Sequence, residues 1–210
     1  MYSGSFNPMH IGHYQILKYL CKDSRFDLVY LIVSPKNPLK ESISEDSGRT
    51  RYLAACDAVA RHPELTKVRV DDIELNMAPP HYTLRTLDTL KRREPDNDFT
   101  LIIGADNLSD IHRWRDFPRL LTDYGVAVYP RKGFDLDSIR RALAEECIQT
   151  PAPYVLDNNY TAGEEGMRNL EDYLQRLYEI EILDAPMVDI SSTEIRNGMA
   201  MGRDMSEYLM

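Results

Sequence analysis

The stretches FDLVYLIVSP (26–35) and FTLIIGA (99–105) are almost continuously apolar at their centres. Short unbroken apolar runs are typical of central strands in a parallel sheet, because helices cover both faces of such a strand. Further β-rich runs and helical stretches alternate with them, which predicts an α/β fold with a doubly wound, Rossmann-like parallel sheet. The other predicted strands are 67–75, 125–130 and 179–190, and the predicted helices are 11–22, 49–61, 83–93, 109–122, 136–147 and 164–178.

The length and composition of the chain fit one soluble domain. It has 210 residues, of which 43% are hydrophobic and 28% charged, and these values are ordinary for a globular protein. We therefore expect a single domain over 1–210, with a small helical part from about residue 191. No apolar run approaches the roughly 20 residues that span a bilayer, and no secretory signal is visible. We expect no membrane association and a cytoplasmic location.

The charge balance argues against nucleic acid as a partner. Lys and Arg number 25 against 34 Asp and Glu, which gives a net charge of −9. Long-range attraction to a phosphate backbone needs the opposite sign. A small anionic substrate is still compatible with this charge, because a local cluster of donors can outweigh the global sign.

The segment GSFNPMHIGH (4–13) carries the first candidate site. Gly4 and Ser5 predict a turn whose backbone N–H groups approach an anion, next to the positive end of a helix that begins around Ile11. His10 and His13 are three residues apart and share a face of that helix. The whole string favours triphosphate binding over two histidines that only fill the core or the surface.

A second polar segment, ISSTEIR (190–196), lies near the C-terminal end. Ser191 followed by Glu194 is typical of a capping box at the start of a helix. The local pattern leaves a second interpretation open, in which hydroxyls and a guanidinium form another anion cradle around the helix N-terminus. That cradle would add three residues to Ser191: Ser192, Thr193 and Arg196.

Together the two segments resemble the nucleotidyltransferase superfamily with HxGH and ISSTxIR elements, which transfers a nucleoside monophosphate. Class I aminoacyl-tRNA synthetases also carry HIGH, but they need a KMSKS-type loop and usually a further tRNA-binding domain, and this sequence shows neither. Four middle segments, in order at predicted strand ends, narrow the resemblance to bacterial nicotinate-nucleotide adenylyltransferases. They are SPKNPLK (34–40), ELNMAPPHYTLRTLDTL (74–90), IIGADNLSDIHRWRDF (102–117) and YPRKG (129–133).

This resemblance implies an enzyme that joins nicotinate mononucleotide to ATP in NAD biosynthesis, giving deamido-NAD and pyrophosphate. The attack on the α-phosphate of ATP is expected to be in line, without a covalent intermediate. The attacking phosphate oxygen is already anionic, so the reaction needs no general base. We expect Mg²⁺ to arrive with ATP, because no carboxylate cluster in the sequence is typical of a dedicated metal site.

The resemblance also implies roles for individual residues. The catalytic groups are expected to be His10, His13 and Arg196, with His13 foremost in stabilising the transition state. ATP is expected to contact Gly4, Ser5, His10, His13, Lys40, Asp106, Ser191, Ser192, Thr193 and Arg196. Nicotinate mononucleotide is expected to contact Tyr82, Thr83, Asp106, Trp114 and Arg131. Judged from the neighbouring sequence alone, Asp106 could equally well cap a helix, and Trp114 could pack in the core.

Other interpretations remain open at this level. The chain could prefer nicotinamide mononucleotide or phosphopantetheine as the acceptor, or could be a non-catalytic regulator that binds a nucleotide. The segment 149–178 is expected to cover the edge of the sheet, with a homo-oligomer contact as the alternative.

Overall fold

A computed structural model describes residues 1–35, 47–149, 175 and 180–210 of the chain. Contacts divide the chain into two compact units, Met1–Tyr82 with Asp184–Met210 and Thr83–Leu183. The expectation of a single domain over 1–210 stays a prediction. In chain order the elements are β1 (Tyr2–Gly4), α1 (Ile11–Lys22), β2 (Val29–Val33), α2 (Ser47–Ala60), β3 (Val68–Asp71), α3 (Thr83–Arg93), β4 (Leu101–Gly104), α4 (Ala105–Leu108), α5 (Phe117–Arg119), β5 (Val126–Tyr129), α6 (Leu136–Gln149), β6 (Glu181–Ile182) and α7 (Ser192–Ala200).

The first unit contains three parallel strands in the order β3-β2-β1. All five residues of β2 are buried, as its unbroken apolar run predicts. Leu31 of β2 pairs with Tyr2 of β1 on one side and with Val70 of β3 on the other. Helix α1 adds Leu17 and Leu20, which are fully buried. The core of this unit therefore lies directly beneath the loop that follows β1.

The second unit contains β4, β5 and β6, which are also parallel and lie in that order. Every residue of β4 and of β5 is buried. Leu84, Leu87 and Leu90 recur every three residues along α3 and bury one face of that helix.

The strand order of the sheet is β3-β2-β1-β4-β5-β6, which is the order of doubly wound nucleotide-binding folds. The predicted α/β class with a doubly wound parallel sheet is therefore confirmed. Within the described residues, none of the helices is long and apolar enough to cross a membrane.

The predicted helix over 109–122 is wrong. Over these residues the chain instead forms a 3₁₀ turn at Ile111–Arg113, the short helix α5 and a π-helical turn at Leu120–Tyr124. The backbone is extended at Trp114 and left-handed at Asp116, where φ is +51°. Phe117 is 1% exposed, so burial of its ring outweighs the helical propensity of the stretch.

Two predicted strands are shorter in the structure than expected, and one predicted helix lies mostly outside the described residues. The run 67–75 is a strand only as far as Asp71, whose carboxylate accepts a hydrogen bond from the Ile73 N–H at 3.0 Å and turns the chain. The run 179–190 contains only the two-residue strand β6, and Pro186 within that run cannot donate to a ladder. Most of the predicted helix 164–178, like most of the segment 149–178, lies outside the described residues.

One polar cluster ties α3 to the π-helical turn. Asp88 of α3 accepts hydrogen bonds from the Tyr124 hydroxyl at 2.6 Å and from Arg119 Nη2 at 3.1 Å. Arg119 also donates from Nε to Asp123 at 2.8 Å. Partial burial and the hydrogen bond to Asp88 raise the pKa of Tyr124 above its ordinary value.

This cluster predicts a stability effect that depends on pH. Below pH 10, Tyr124→Phe should lower the free energy of unfolding by about 1 kcal/mol, because a hydrogen bond to a carboxylate is lost. The folded state keeps the phenolic proton at a pH where the unfolded chain, with the ordinary pKa of 10.0, has released it. The advantage of the wild type should therefore shrink as the pH rises above about 10.

Urea titrations between pH 7 and pH 11 would measure this effect. In an Asp88→Asn background, Tyr124→Phe should cost less, because the charged acceptor is gone. A wild-type advantage that stays constant up to pH 11 would contradict the assignment.

Candidate active site

The first helix begins with two histidines that cap it reciprocally. His10 is the N-cap residue of α1, and its Nδ1 accepts a hydrogen bond from the Gly12 N–H at 3.1 Å. The His13 Nδ1 accepts one from the His10 N–H at 3.2 Å. The two ring centroids are 3.7 Å apart and the rings are tilted by 35°. The predicted helix start at Ile11 and the shared face of the two histidines are both observed.

These hydrogen bonds decide which nitrogen of each ring carries the proton. A nitrogen that accepts from an N–H must offer a lone pair, so Nδ1 is unprotonated in both rings. The proton of each neutral imidazole therefore lies on Nε2. In the neutral state both histidines are N–H donors at Nε2, which is what a phosphate oxygen requires.

Two glycines of this segment are required by the rings that cover them. A Cβ at Gly12 would lie 2.9 Å from Cε1 and 3.0 Å from Nδ1 of His10. A Cβ at Gly4 would lie 3.1 Å from Cζ of Phe6. From the sequence we expected Gly4 to let backbone N–H groups approach an anion. The structure adds that any side chain at position 4 would press on the buried ring of Phe6.

The ISSTEIR segment docks onto the same loop of the first unit. Arg196 donates from Nη1 to the Asn7 carbonyl at 2.6 Å and from Nη2 to Thr193 Oγ1 at 3.0 Å. Ser192 donates to the Pro8 carbonyl at 3.1 Å. The structure thus brings this segment against the residues that precede the two histidines.

Both readings of the ISSTEIR segment are compatible with its geometry. Ser191 is the N-cap of α7, and its hydroxyl accepts from the Glu194 N–H at 3.2 Å. The predicted N-cap is therefore present, but the reciprocal half of the predicted capping box differs, because the Glu194 carboxylate accepts from the Ser191 hydroxyl at 2.6 Å. Arg196 is exposed and two contacts do not exhaust its five N–H donors, so it can also donate to an anion.

Sequence reasoning missed Arg51, which holds the same loop from the other side. Arg51 is 5% exposed, and its guanidinium donates to the carbonyls of Ser5, Ser34 and Pro35, the last two at 2.9 Å. Burial lowers the pKa of Arg51. In the sequence it is one of several arginines in a predicted helix, and no local pattern separates it from a solvated one.

In the second unit, Asp106 follows β4 and pairs with Arg131, which follows β5. Arg131 Nε lies 3.4 Å from Asp106 Oδ1. Asp106 is not a helix cap, because Gly104 occupies the N-cap position of α4. A Cβ at Gly104 would lie only 2.3 Å from Asp106 Oδ1. Because Gly104 has no side chain, the Asp106 carboxylate can fold back over the end of β4.

Asp106 Oδ1 is buried and accepts no hydrogen bond from the residues that the structure describes, although the Arg131 guanidinium at 3.4 Å offsets its charge. A buried oxygen without a hydrogen bond carries a cost, and a hydroxyl group could supply that hydrogen bond.

The residues expected near the pyridine ring lie on exposed or half-buried surface. Tyr82 is 39% exposed, and Thr83 is the first residue of α3. His81, just before them, has its Nε2 3.0 Å from the Met77 carbonyl. Trp114 is half-buried, so it is not a core residue. Lys40, the remaining predicted ATP contact, lies outside the described residues.

Within the described residues, no group of three or more His, Cys, Asp or Glu side chains could hold a metal ion.

Polar donors at the carboxyl ends of parallel strands and at a helix N-terminus define a nucleotide-binding α/β protein. The cytidylyltransferase-like family model matches residues 1–198. The chain belongs to this family.

Curated relatives match over the whole chain. A probable nicotinate-nucleotide adenylyltransferase of Flavobacterium johnsoniae is 30% identical, covering 100% of this chain and 90% of the relative. A protein of the same name from Bacteroides fragilis is 32% identical, covering 100% of this chain and 85% of the relative. These relatives confirm the resemblance to bacterial nicotinate-nucleotide adenylyltransferases.

A solved structure supports the fold. The nicotinic acid mononucleotide adenylyltransferase of Plasmodium falciparum, complexed with NaAD, matches with a TM-score of 0.66 at 16% identity. The match covers 99% of this chain and 88% of that one. At this identity the likeness concerns the fold, and it agrees with the doubly wound sheet.

The reciprocal caps make a spectroscopic prediction. At a pH where both rings are neutral, ¹⁵N spectra of the imidazoles should show Nδ1 unprotonated and Nε2 protonated in His10 and in His13. His62, which lies outside the caps, serves as a reference ring. A protonated Nδ1 in either neutral capping ring would contradict the hydrogen bonds described here.

Proposed function

We propose that this chain transfers AMP from ATP to nicotinate mononucleotide, giving deamido-NAD and pyrophosphate in NAD biosynthesis. The observation that carries the proposal is the likeness to nicotinate-nucleotide adenylyltransferases along the full length of the chain. The two Nε2–H imidazoles at the start of α1 support it, because they are neutral N–H donors at the positive end of a helix.

The first unit supplies the groups for the chemical step. The 5′-phosphate of nicotinate mononucleotide attacks the α-phosphate of ATP in line, and pyrophosphate leaves. The attacking oxygen is already anionic, so no residue removes a proton. The contribution of the protein is to align two anions that repel each other and to donate to the charge that develops on the phosphate oxygens. We assign this role to His10, His13 and Arg196.

Other groups of the first unit hold the ATP phosphates. Backbone N–H groups at Gly4 and Ser5 and the positive end of α1 favour an anion. Hydroxyls and an ammonium add further donors, and we assign this binding to Ser191, Ser192, Thr193 and Lys40.

Residues of the second unit, with Tyr82 just before it, are proposed to bind the sugars and the pyridine ring. Asp106 offers its buried Oδ1 to ribose hydroxyls. Arg131, already paired with Asp106, adds a positive charge for the acceptor. Trp114 has a half-buried ring that can stack on a pyridine, and Tyr82 and Thr83 are assigned to the pyridine carboxylate.

Mg²⁺ is proposed to enter with ATP. When bound, it would share the charge of the phosphate oxygens. We also propose that the enzyme works in the cytoplasm and without nucleic acid, which agrees with its net charge of −9.

The first test is pyrophosphate release from ATP and Mg²⁺ with one acceptor at a time. Nicotinate mononucleotide should give the fastest release, well above nicotinamide mononucleotide and phosphopantetheine. A preference for nicotinamide mononucleotide or for phosphopantetheine would replace the proposed acceptor. ATP binding without release from any acceptor would favour a nucleotide-binding regulator.

The second test removes the foremost catalytic donor. His13→Ala should lower kcat by about 10²-fold, the scale of losing one transition-state donor, and should lower the melting temperature by about 2–4 °C, because the acceptor for the His10 N–H is lost from the cap of α1. His62→Ala is the matched control, because His62 pairs with Glu64 at 3.4 Å on the surface and should leave kcat unchanged. An unchanged kcat in His13→Ala would remove His13 from the chemical step.

A further inference from the structure

Phe6 stands out within the phosphate-binding segment. It is 3% exposed, while Ser5 and Asn7 on either side are half-buried. Its backbone is left-handed, with φ at +44°. Within the described part of the chain, only one other residue with a side chain, Asp116, has a positive φ. A bulky residue disfavours this conformation, so it is held there by its surroundings.

The ring of Phe6 lies against the ring of His13. Their centroids are 5.0 Å apart with an interplanar angle of 76°, and Phe6 makes the same type of edge contact with Tyr2 at 5.5 Å. Such T-shaped pairs are favourable arrangements of aromatic rings. Gly4 leaves the space that this ring needs, because a Cβ there would lie 3.1 Å from Cζ of Phe6.

A hydrogen bond and several ring contacts together orient the imidazole of His13. The hydrogen bond from the His10 N–H fixes the position of Nδ1, but a single hydrogen bond to one atom leaves the ring plane able to tilt. Three rings lie around the imidazole, with centroids 3.7 Å (His10), 5.0 Å (Phe6) and 6.4 Å (Tyr2) from that of His13. Removal of Phe6 would take away the nearer of the two carbocyclic neighbours.

We infer that Phe6 is a positioning residue for His13, holding the imidazole plane so that Nε2–H points at the phosphate undergoing transfer. This inference rests on the proposed function. Phe6 lies only two positions after the end of β1. Its left-handed backbone turns its ring back onto His13.

The test is a double-mutant cycle of Phe6→Leu with His13→Ala. Leucine carries a Cβ, so the backbone requirement at position 6 is unchanged and only the aromatic ring is lost. Phe6→Leu alone should lower kcat about tenfold, since small misplacements of a catalytic group are costly, while KM for ATP stays within about twofold. In the His13→Ala background the same substitution should have no further effect on kcat.

A residue that only fills the core would behave differently. Phe99 is the matched control, because it is 6% exposed and has no assigned role in the site. Phe99→Leu should lower the melting temperature without changing kcat. If the effects of Phe6→Leu and His13→Ala on kcat multiply, or if Phe6→Leu leaves kcat unchanged, the inference is overturned. Phe6→Met serves the same cycle if Phe6→Leu does not fold.

A second readout does not depend on the reaction. In Phe6→Leu the His13 ring should keep its Nε2–H tautomer, because the cap from the His10 N–H is intact, but its ring ¹H and ¹³C resonances should broaden as the ring gains freedom to tilt. Ring resonances as sharp as those of the wild type would overturn the inference even if no acceptor supports catalysis. Absent pyrophosphate release from the wild type, together with broadened resonances in Phe6→Leu, would reject the proposed function and keep the positioning role.

Discussion

Two hydrogen bonds from backbone N–H groups to imidazole nitrogens, at the start of α1, determine the conformation around the end of the segment GSFNPMHIGH (4–13). The first N–H groups of any helix lack partners within the helix, and Ser, Thr, Asp or Asn usually supply them. Here His10 and His13 do so. The cap therefore sets the tautomer of both rings. Because the His10 ring then lies over position 12, only glycine fits there.

The loop before the helix presents carbonyl oxygens that would repel an anion, and cationic or hydroxyl donors cover three of them. Arg51 binds the Ser5 carbonyl, Arg196 binds the Asn7 carbonyl and Ser192 binds the Pro8 carbonyl. Each contact offsets a partial negative charge and fixes the direction of a peptide unit. The ISSTEIR segment thus holds the loop before α1 in place through hydrogen bonds to the Asn7 and Pro8 carbonyls.

The sequence predicted the features that depend on local pattern. Unbroken apolar runs gave β2 and β4, and the spacing of His10 and His13 gave a shared helical face. It could not predict contacts between residues far apart in the chain, such as Arg51 with the Ser5 carbonyl, because many arginines in helices are solvated. The helix expected over 109–122 does not form for a related reason: Phe117 is buried and the backbone at Asp116 is left-handed, and helix propensity predicts neither feature. The roles of individual site residues stay predictions.

The capping role of the histidines has a consequence for metal selectivity. Two imidazoles three residues apart on a helix would otherwise be a natural pair of ligands for a transition metal. A metal can bind Nε2 only if that nitrogen gives up its proton, and in a neutral ring the proton then moves to Nδ1. Nδ1 could no longer accept the backbone N–H, so coordination would uncap α1. The helix itself thus disfavours zinc or nickel at this loop.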